Sequence, residues 1–132
     1  MKKQSRHDHK LSLRSETVRK LDRIELAAAE QRDSYDAVTA RAVGRLSTLA
    51  ELASPLLAEN GVLVAWKGKR DADEEQQLER AADRLAMHPE QILDVGDRAG
   101  SKHRHLHVLR KLGATPDDLP RRAGMAKKRP RG

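Results

Sequence analysis

The sequence predicts an α/β fold on a mostly parallel sheet whose last strand runs antiparallel, and three observations carry that reading. Short apolar or β-rich runs alternate with helical patterns of roughly 12–15 residues. Val62–Lys67 is almost continuously apolar, as expected of a strand covered by helices on both faces. Ile92–Val95 and His105–Leu109 follow one another with no helix between them, so one strand of that pair must reverse direction.

Taken in order, residues 1–10 form a polar, basic N-terminal segment, residues 11–113 the α/β body, and residues 114–132 a basic tail containing Pro and Gly. In the body, Leu11, Leu13, Val18 and Leu21 make a loose helical stripe, and the apolar run Ile24–Ala29 fits a strand or a helix start equally. Gln31–Ser34 reads as a polar turn, and Tyr35–Ala40 as a buried strand. Leu46, Leu49, Leu52, Leu56 and Leu57 recur at helical spacing, which predicts a helix over Gly44–Ala58. Glu59, Asn60 and Gly61 then read as its stop signal and a turn. Asp71–Leu85 is strongly amphipathic, with Leu78, Ala81, Ala82 and Leu85 on one side and acids at its start, where the helix dipole favours them. After the two last strands, Pro116, Pro120 and Pro130 are expected to prevent regular structure in the tail.

Composition narrows the function classes. The chain has 132 residues, no cysteine and a net charge of +7, so disulfide scaffolds, cysteine nucleophiles and thiolate metal sites are excluded. Pro120–Gly132 holds six bases and no acid, which leaves the rest of the chain at +1. So concentrated a field suits a polyanion. The longest uncharged apolar run is far too short to span a bilayer, and the basic start lacks the apolar stretch of a signal peptide, so a cytoplasmic protein is expected. Aromatics amount to 2%, Tyr35 and Trp66 alone, so base stacking of the kind used by sheet-surface RNA binders is not expected.

Four segments in one order carry a family resemblance. They are Tyr35–Val43, Trp66–Gly68, Arg104–Lys111 and Thr115–Gly124. Together they resemble the C-terminal half of the 16S ribosomal RNA methyltransferase G family, also called glucose-inhibited division protein B. That family has an Asp-containing strand ending in Arg-Ala, a Lys-Gly pair after a strand, an Arg-His-Leu closing strand and a Thr-Pro…Pro-Arg tail. The resemblance covers residues 23–132 well. Gln4, Ser5, Arg6, Leu13 and Arg14 resemble a helix of the family further upstream, with Gln4 in place of an acid.

The resemblance implies part of a Rossmann-like sheet and transfer of a methyl group from S-adenosylmethionine to N7 of a guanine in small-subunit ribosomal RNA. Guanine N7 is already a nucleophile and the sulfonium already activated, so no base is needed and positioning does most of the work. None of the eight glycines forms a Gly-x-Gly loop after a strand. The chain is therefore expected to lack the first strand and the glycine-rich cofactor loop, as a truncated copy, a split half or a misplaced start. A companion chain supplying the N-terminal half is a corresponding partner, and ribosomal RNA or the small subunit the other. The alternative function is a basic fragment that docks on RNA or on a partner chain without catalysis.

Site residues follow from the same resemblance. Ile24 and Glu25, with Arg23 before them, match a pair beside the adenine of the cofactor, although Ala29 and Glu30 offer a second register. Arg41 matches the arginine that contacts the cofactor or the substrate phosphate. Lys67, at a strand's carboxyl end, and His105, in the Arg-His-Leu triplet, are candidates for RNA contact, as are Arg121, Arg122, Lys127, Lys128 and Arg129. Six tail cations on phosphates give a log–log salt slope of roughly −4 to −5. His103, His105 and His107 alternate along one strand face, but the interleaved Arg104 and Leu106 argue against a metal cage, and no metal is expected.

Overall fold

The computed structural model describes residues 31–41, 44–96 and 103–132. Its elements run β1 (Tyr35–Arg41), α1 (Leu46–Ala53), β2 (Leu57–Lys67), α2 (Ala72–Leu85), β3 (Met87–Asp94), β4 (His105–Lys111) and α3 (Met125–Lys128). The expected helix over Leu11–Leu21 and the run Ile24–Ala29 lie outside the described residues.

The sheet has the order β1-β2-β4-β3. β1 and β2 are parallel, and β4 is antiparallel to both β2 and β3. The final strand is thus the reversed one, as the absence of a helix before it required. It inserts between β2 and β3, so it is central to the sheet although last in sequence.

Helices α1 and α2 pack on one face of this sheet. Val38, Ala40, Leu63, Ala65 and Leu109 point into that layer and meet Leu46, Leu49, Leu78 and Leu85, all at most 6% exposed. The opposite face is only half-covered: Val62, Val64 and Trp66 alternate with the buried Leu63 and Ala65. Two expectations are corrected here. β2 is not buried on both faces, and β1 is not a buried strand throughout, because Asp36, Thr39 and Arg41 are exposed. Near-continuous apolar sequence reflects what a strand could bury, and the second face needs a covering layer that the described helices do not provide.

The boundaries of α1 also differ from expectation. It ends at Ala53, and Leu57 already belongs to β2. Pro55 has no N–H to continue the ladder, so the leucine spacing persists after the helix has stopped. Glu59, Asn60 and Gly61 do not end a helix either; they form an excursion inside β2. The register jumps from Tyr35↔Leu57 to Ala37↔Val62, leaving extra residues on β2. Asn60 takes a left-handed φ of 69°, and a Cβ on Gly61 would sit 2.9 Å from the Ala58 carbonyl oxygen.

Helix α2 matches its sequence pattern closely. Asp71 caps it by accepting from the N–H groups of Asp73 (3.0 Å) and Glu74 (3.2 Å). β3 begins five residues earlier than Ile92. Pro89 is tolerated there because β3 is paired on one side only and its register breaks between Pro89 and Gln91.

The tail is the largest correction. It folds, with a short helix at Met125–Lys128 and with Leu119 and Ala126 buried against the body. Thr48 donates to the Ala126 carbonyl (3.1 Å), and Arg32 donates to that of Leu119 (2.7 Å). Prolines exclude a long helix, but side chains from α1 anchor the segment regardless. A second anchor lies at the amino end of the parallel strands. Lys111, 1% exposed, binds Asp33 (2.7 Å), the Leu57 carbonyl and Thr115. Burial would raise the Asp33 carboxyl, but the bonds from Lys111 and Thr115 outweigh it and hold the group below its ordinary range.

Candidate functional site

In open α/β sheets ligands gather beyond the carboxyl ends of the parallel strands. Here that edge is the end of β1 and β2, where Arg41, Trp66, Lys67, Gly68 and Arg104 line a cavity of about 310 Å³. The sheet register sets the arrangement: Arg41 lies opposite Trp66, and Leu106 lies opposite Trp66 from the other side. The Arg41 guanidinium stands 5.6 Å from the centre of the Trp66 ring. An exposed cation–π contact of this kind contributes about 0.5–1 kcal/mol. Among the described residues neither Arg41 nor Arg104 has an acidic partner, and both are exposed.

Lys67 is different. Its ammonium lies 2.7 Å from a Glu74 oxygen and 2.8 Å from the Gly44 carbonyl oxygen. The same Glu74 oxygen accepts from the Leu46 N–H at 2.7 Å. Since Arg45, the residue before α1, provides no side-chain cap, Glu74 from α2 caps that helix and Lys67 neutralises the cap. Lys67, a candidate for RNA phosphate from sequence, therefore has its charge matched within the fold.

His105 joins the edge through its Nδ1, which lies 3.0 Å from the Gly68 carbonyl oxygen and 3.1 Å from that of His103. A nitrogen facing two acceptors carries the proton, so His105 pins the Gly68 turn that forms one wall of the cavity. His107 lies on the same helix-covered face of β4 as His105 but deeper, 4% exposed, beside Glu75 and Leu78. Burial holds its pKa below the usual 6.5, against a smaller upward pull from Glu75 and Glu74. Among the described residues, no group of three or more His, Asp or Glu side chains is placed to hold a metal ion. No described helix is long and apolar enough to cross a membrane.

The tail cations divide into two sets. Arg121 makes a two-pronged pair with Glu51, which is 3% exposed; the second prong is 2.6 Å. That bond raises the Arg121 pKa further. Arg131, 8% exposed, pairs with Asp118 and holds its carboxyl below the ordinary range. Arg121, a candidate for RNA contact from sequence, is thus tied into the fold by Glu51. Arg122, Lys127, Lys128 and Arg129 remain exposed, with no ion pair among the described residues.

Of the residues expected at a cofactor, only Arg41 is described; Ile24 and Glu25 lie outside the described residues. Sequence reasoning did not single out Trp66 or Arg104, although both stand inside segments that carried the family resemblance. A lone tryptophan beside a Lys-Gly turn was the available signal. Glu51 and Glu74 gave no signal, because their partners lie 70 and 7 residues away in no recognisable motif.

A family model described as rRNA small subunit methyltransferase G matches residues 7–107. A protein of Thermotoga petrophila called ribosomal RNA small subunit methyltransferase G is 37% identical over 121 residues, covering 92% of this chain and 52% of that protein. One of the same name from Bacillus subtilis is 39% identical over 99 residues, covering 75% and 41% respectively. The chain spans about half the length of the first of these relatives and somewhat less of the second.

Proposed function

The chain belongs to the rRNA small subunit methyltransferase G family, and from that premise we propose that it provides the substrate-facing half of an S-adenosylmethionine-dependent methyltransferase acting on small-subunit ribosomal RNA, at guanine N7. The four strands correspond, on this reading, to the C-terminal half of a Rossmann-like sheet. The observation that carries the proposal is the cationic cavity at the carboxyl edge of β1 and β2, lined by Arg41 and Arg104 with no acid among the described residues.

That lining fits an anion. Taken by itself, the described lining does not fit the methyl donor, whose sulfonium and amino group make it a net cation and whose ribose hydroxyls find no carboxylate among the described residues to accept from them. Cofactor contacts are therefore assigned to Ile24 and Glu25, and to a glycine-rich loop supplied by a companion polypeptide or by further sequence. What this chain's residues do is position. Arg41 and Arg104 hold backbone phosphate, His105 fixes the Gly68 wall, and the Lys67–Glu74 pair keeps α1 at the edge without adding net charge. Arg122, Lys127, Lys128 and Arg129 extend the contact along the RNA backbone.

The test is transfer of labelled methyl from S-adenosylmethionine to unmethylated small-subunit RNA, by the chain alone and mixed with the N-terminal half of the Thermotoga petrophila protein. Label at guanine N7, detected by strand scission at N7-methylguanosine, is the expected result with the added half. No label and no S-adenosylmethionine binding in either case overturns the catalytic reading. The exposed tail cations favour one second reading: docking on ribosomal RNA without catalysis. It predicts salt-sensitive RNA binding that survives Arg41→Ala.

A further inference from the structure

Resting on the reading of the tail as an RNA contact, we propose that Glu51 is a positioning residue for RNA: through Arg121 it closes residues 121–129 into a fixed loop whose cations meet the phosphate backbone as one array.

A single guanidinium closes the loop. Arg121 grips Glu51 of α1 with two prongs and donates from Nη2 to the Arg129 carbonyl at 2.9 Å, so both ends of the segment are tied to one point on the helix. Thr48 holds the middle through the Ala126 carbonyl, 3.1 Å away. Outside this clasp, Arg131 pairs with Asp118 and closes a wider ring. Between the ends, the Met125 N–H donates to the Arg122 carbonyl (3.0 Å) and that of Lys128 to the Gly124 carbonyl (3.0 Å), so the enclosed backbone is itself turned and bonded. Residues 121–129 contain five bases and no acid. All of these bases except Arg121 are exposed. Thr48 lies in the first turn of α1, which opens at the carboxyl edge, so the array stands at the end of the sheet assigned to the substrate.

A buried ion pair is weak evidence of stability, since apolar side chains of similar volume often hold a fold as well or better. What such a pair adds is one geometry. Glu51 is 3% exposed, so it cancels the charge of Arg121 without showing an acid to the RNA. Arg122, Lys127, Lys128 and Arg129 then meet phosphate from fixed backbone positions. The entropy of ordering the segment is lost on folding and not on binding, which strengthens the complex.

Glu51→Leu/Arg121→Met removes one charge of each sign and replaces the clasp with apolar contact. The full chain and this variant are compared on one single-stranded ribosomal RNA fragment by filter binding across salt, with urea unfolding and limited trypsin digestion alongside. The variant is expected to match the parent in unfolding midpoint and to be cut faster after Arg122, Lys127 or Lys128. It should bind RNA about tenfold more weakly. Its salt slope should keep the parent's value, because the same four cations still meet phosphate. Arg121→Lys keeps a cation between Glu51 and Arg129 and is expected to bind like the parent. If the apolar pair does not fold, Thr48→Val, which keeps both charges and releases the middle of the loop, is expected to weaken binding about threefold at the same slope. Equal affinity for parent and folded variant overturns the proposal and leaves RNA binding by the tail intact. A flatter slope also overturns it, since the pair then supplies charge and not position. Binding by the parent that ignores salt overturns the RNA reading of the tail itself, so the two failures are distinct.

Discussion

Arginines at the carboxyl edge and arginines in the tail are the same residue used in opposite ways. Arg121 and Arg131 lie in the most basic stretch of the sequence, yet each is tied to an acid and partly or wholly buried. Arg41 and Arg104 come from a body with almost no net charge, yet both stand exposed without an acidic partner among the described residues. Charge density along a sequence is therefore a poor guide to displayed charge. What decides is whether folding brings a carboxylate to the guanidinium, and in the tail Glu51 and Asp118 do so.

The contrast can be broken from either side. The largest effect is expected from Arg121→Ala, which leaves Glu51 charged and buried without its partner. Urea unfolding should show a loss of about 3 kcal/mol. The salt slope of RNA binding by the folded variant should stay unchanged; a flatter slope would return Arg121 to the RNA surface. Replacing Arg122, Lys127, Lys128 and Arg129 together with alanine is expected to reduce the magnitude of that slope by about 3 on single-stranded RNA, measured by filter binding, with little change in stability.

His107 gives a pH test of the helix-covered face of the sheet. Its folded pKa is depressed by burial, so the unfolded state binds the proton more readily. Stability should be level above neutrality and decline as pH falls through 6.5 toward the lower folded value, and His107→Leu should flatten that part of the curve. A curve unaltered by the substitution would place the titrating group elsewhere. The smallest effect is expected for Arg41→Ala on stability, within about 0.5–1 kcal/mol in the same urea experiment, since only an exposed cation–π contact is lost. A larger loss would make Arg41 part of the scaffold.

How much of this was legible in the sequence depended on range. Helix α2 and strand β4 were, because a cap at Asp71, a stripe from Leu78 to Leu85 and an apolar alternation are all local. The reversal of β4 was legible too, from the missing helix before it. The end of α1 was not, since leucines kept their spacing past Pro55 while the backbone had already turned. Asn60 has the same left-handed preference in a strand bulge as in a turn, so local chemistry could not separate the two. At the site, Arg41 and His105 were visible through the family resemblance. The neutralisation of Lys67 by Glu74 and of Arg121 by Glu51 was invisible, because it exists only once α1 has packed against α2 and the tail.

The most direct measurement compares RNA affinity as a function of salt for Arg41→Ala/Arg104→Ala and for Arg121→Lys, each confirmed folded, on one single-stranded ribosomal RNA fragment. Unpartnered edge arginines predict that the double variant binds more weakly, with a slope reduced by about 1.4, while Arg121→Lys binds like the parent. The reverse pattern, with the edge variant unaffected and Arg121→Lys impaired, would contradict the division of charge on which the functional reading stands.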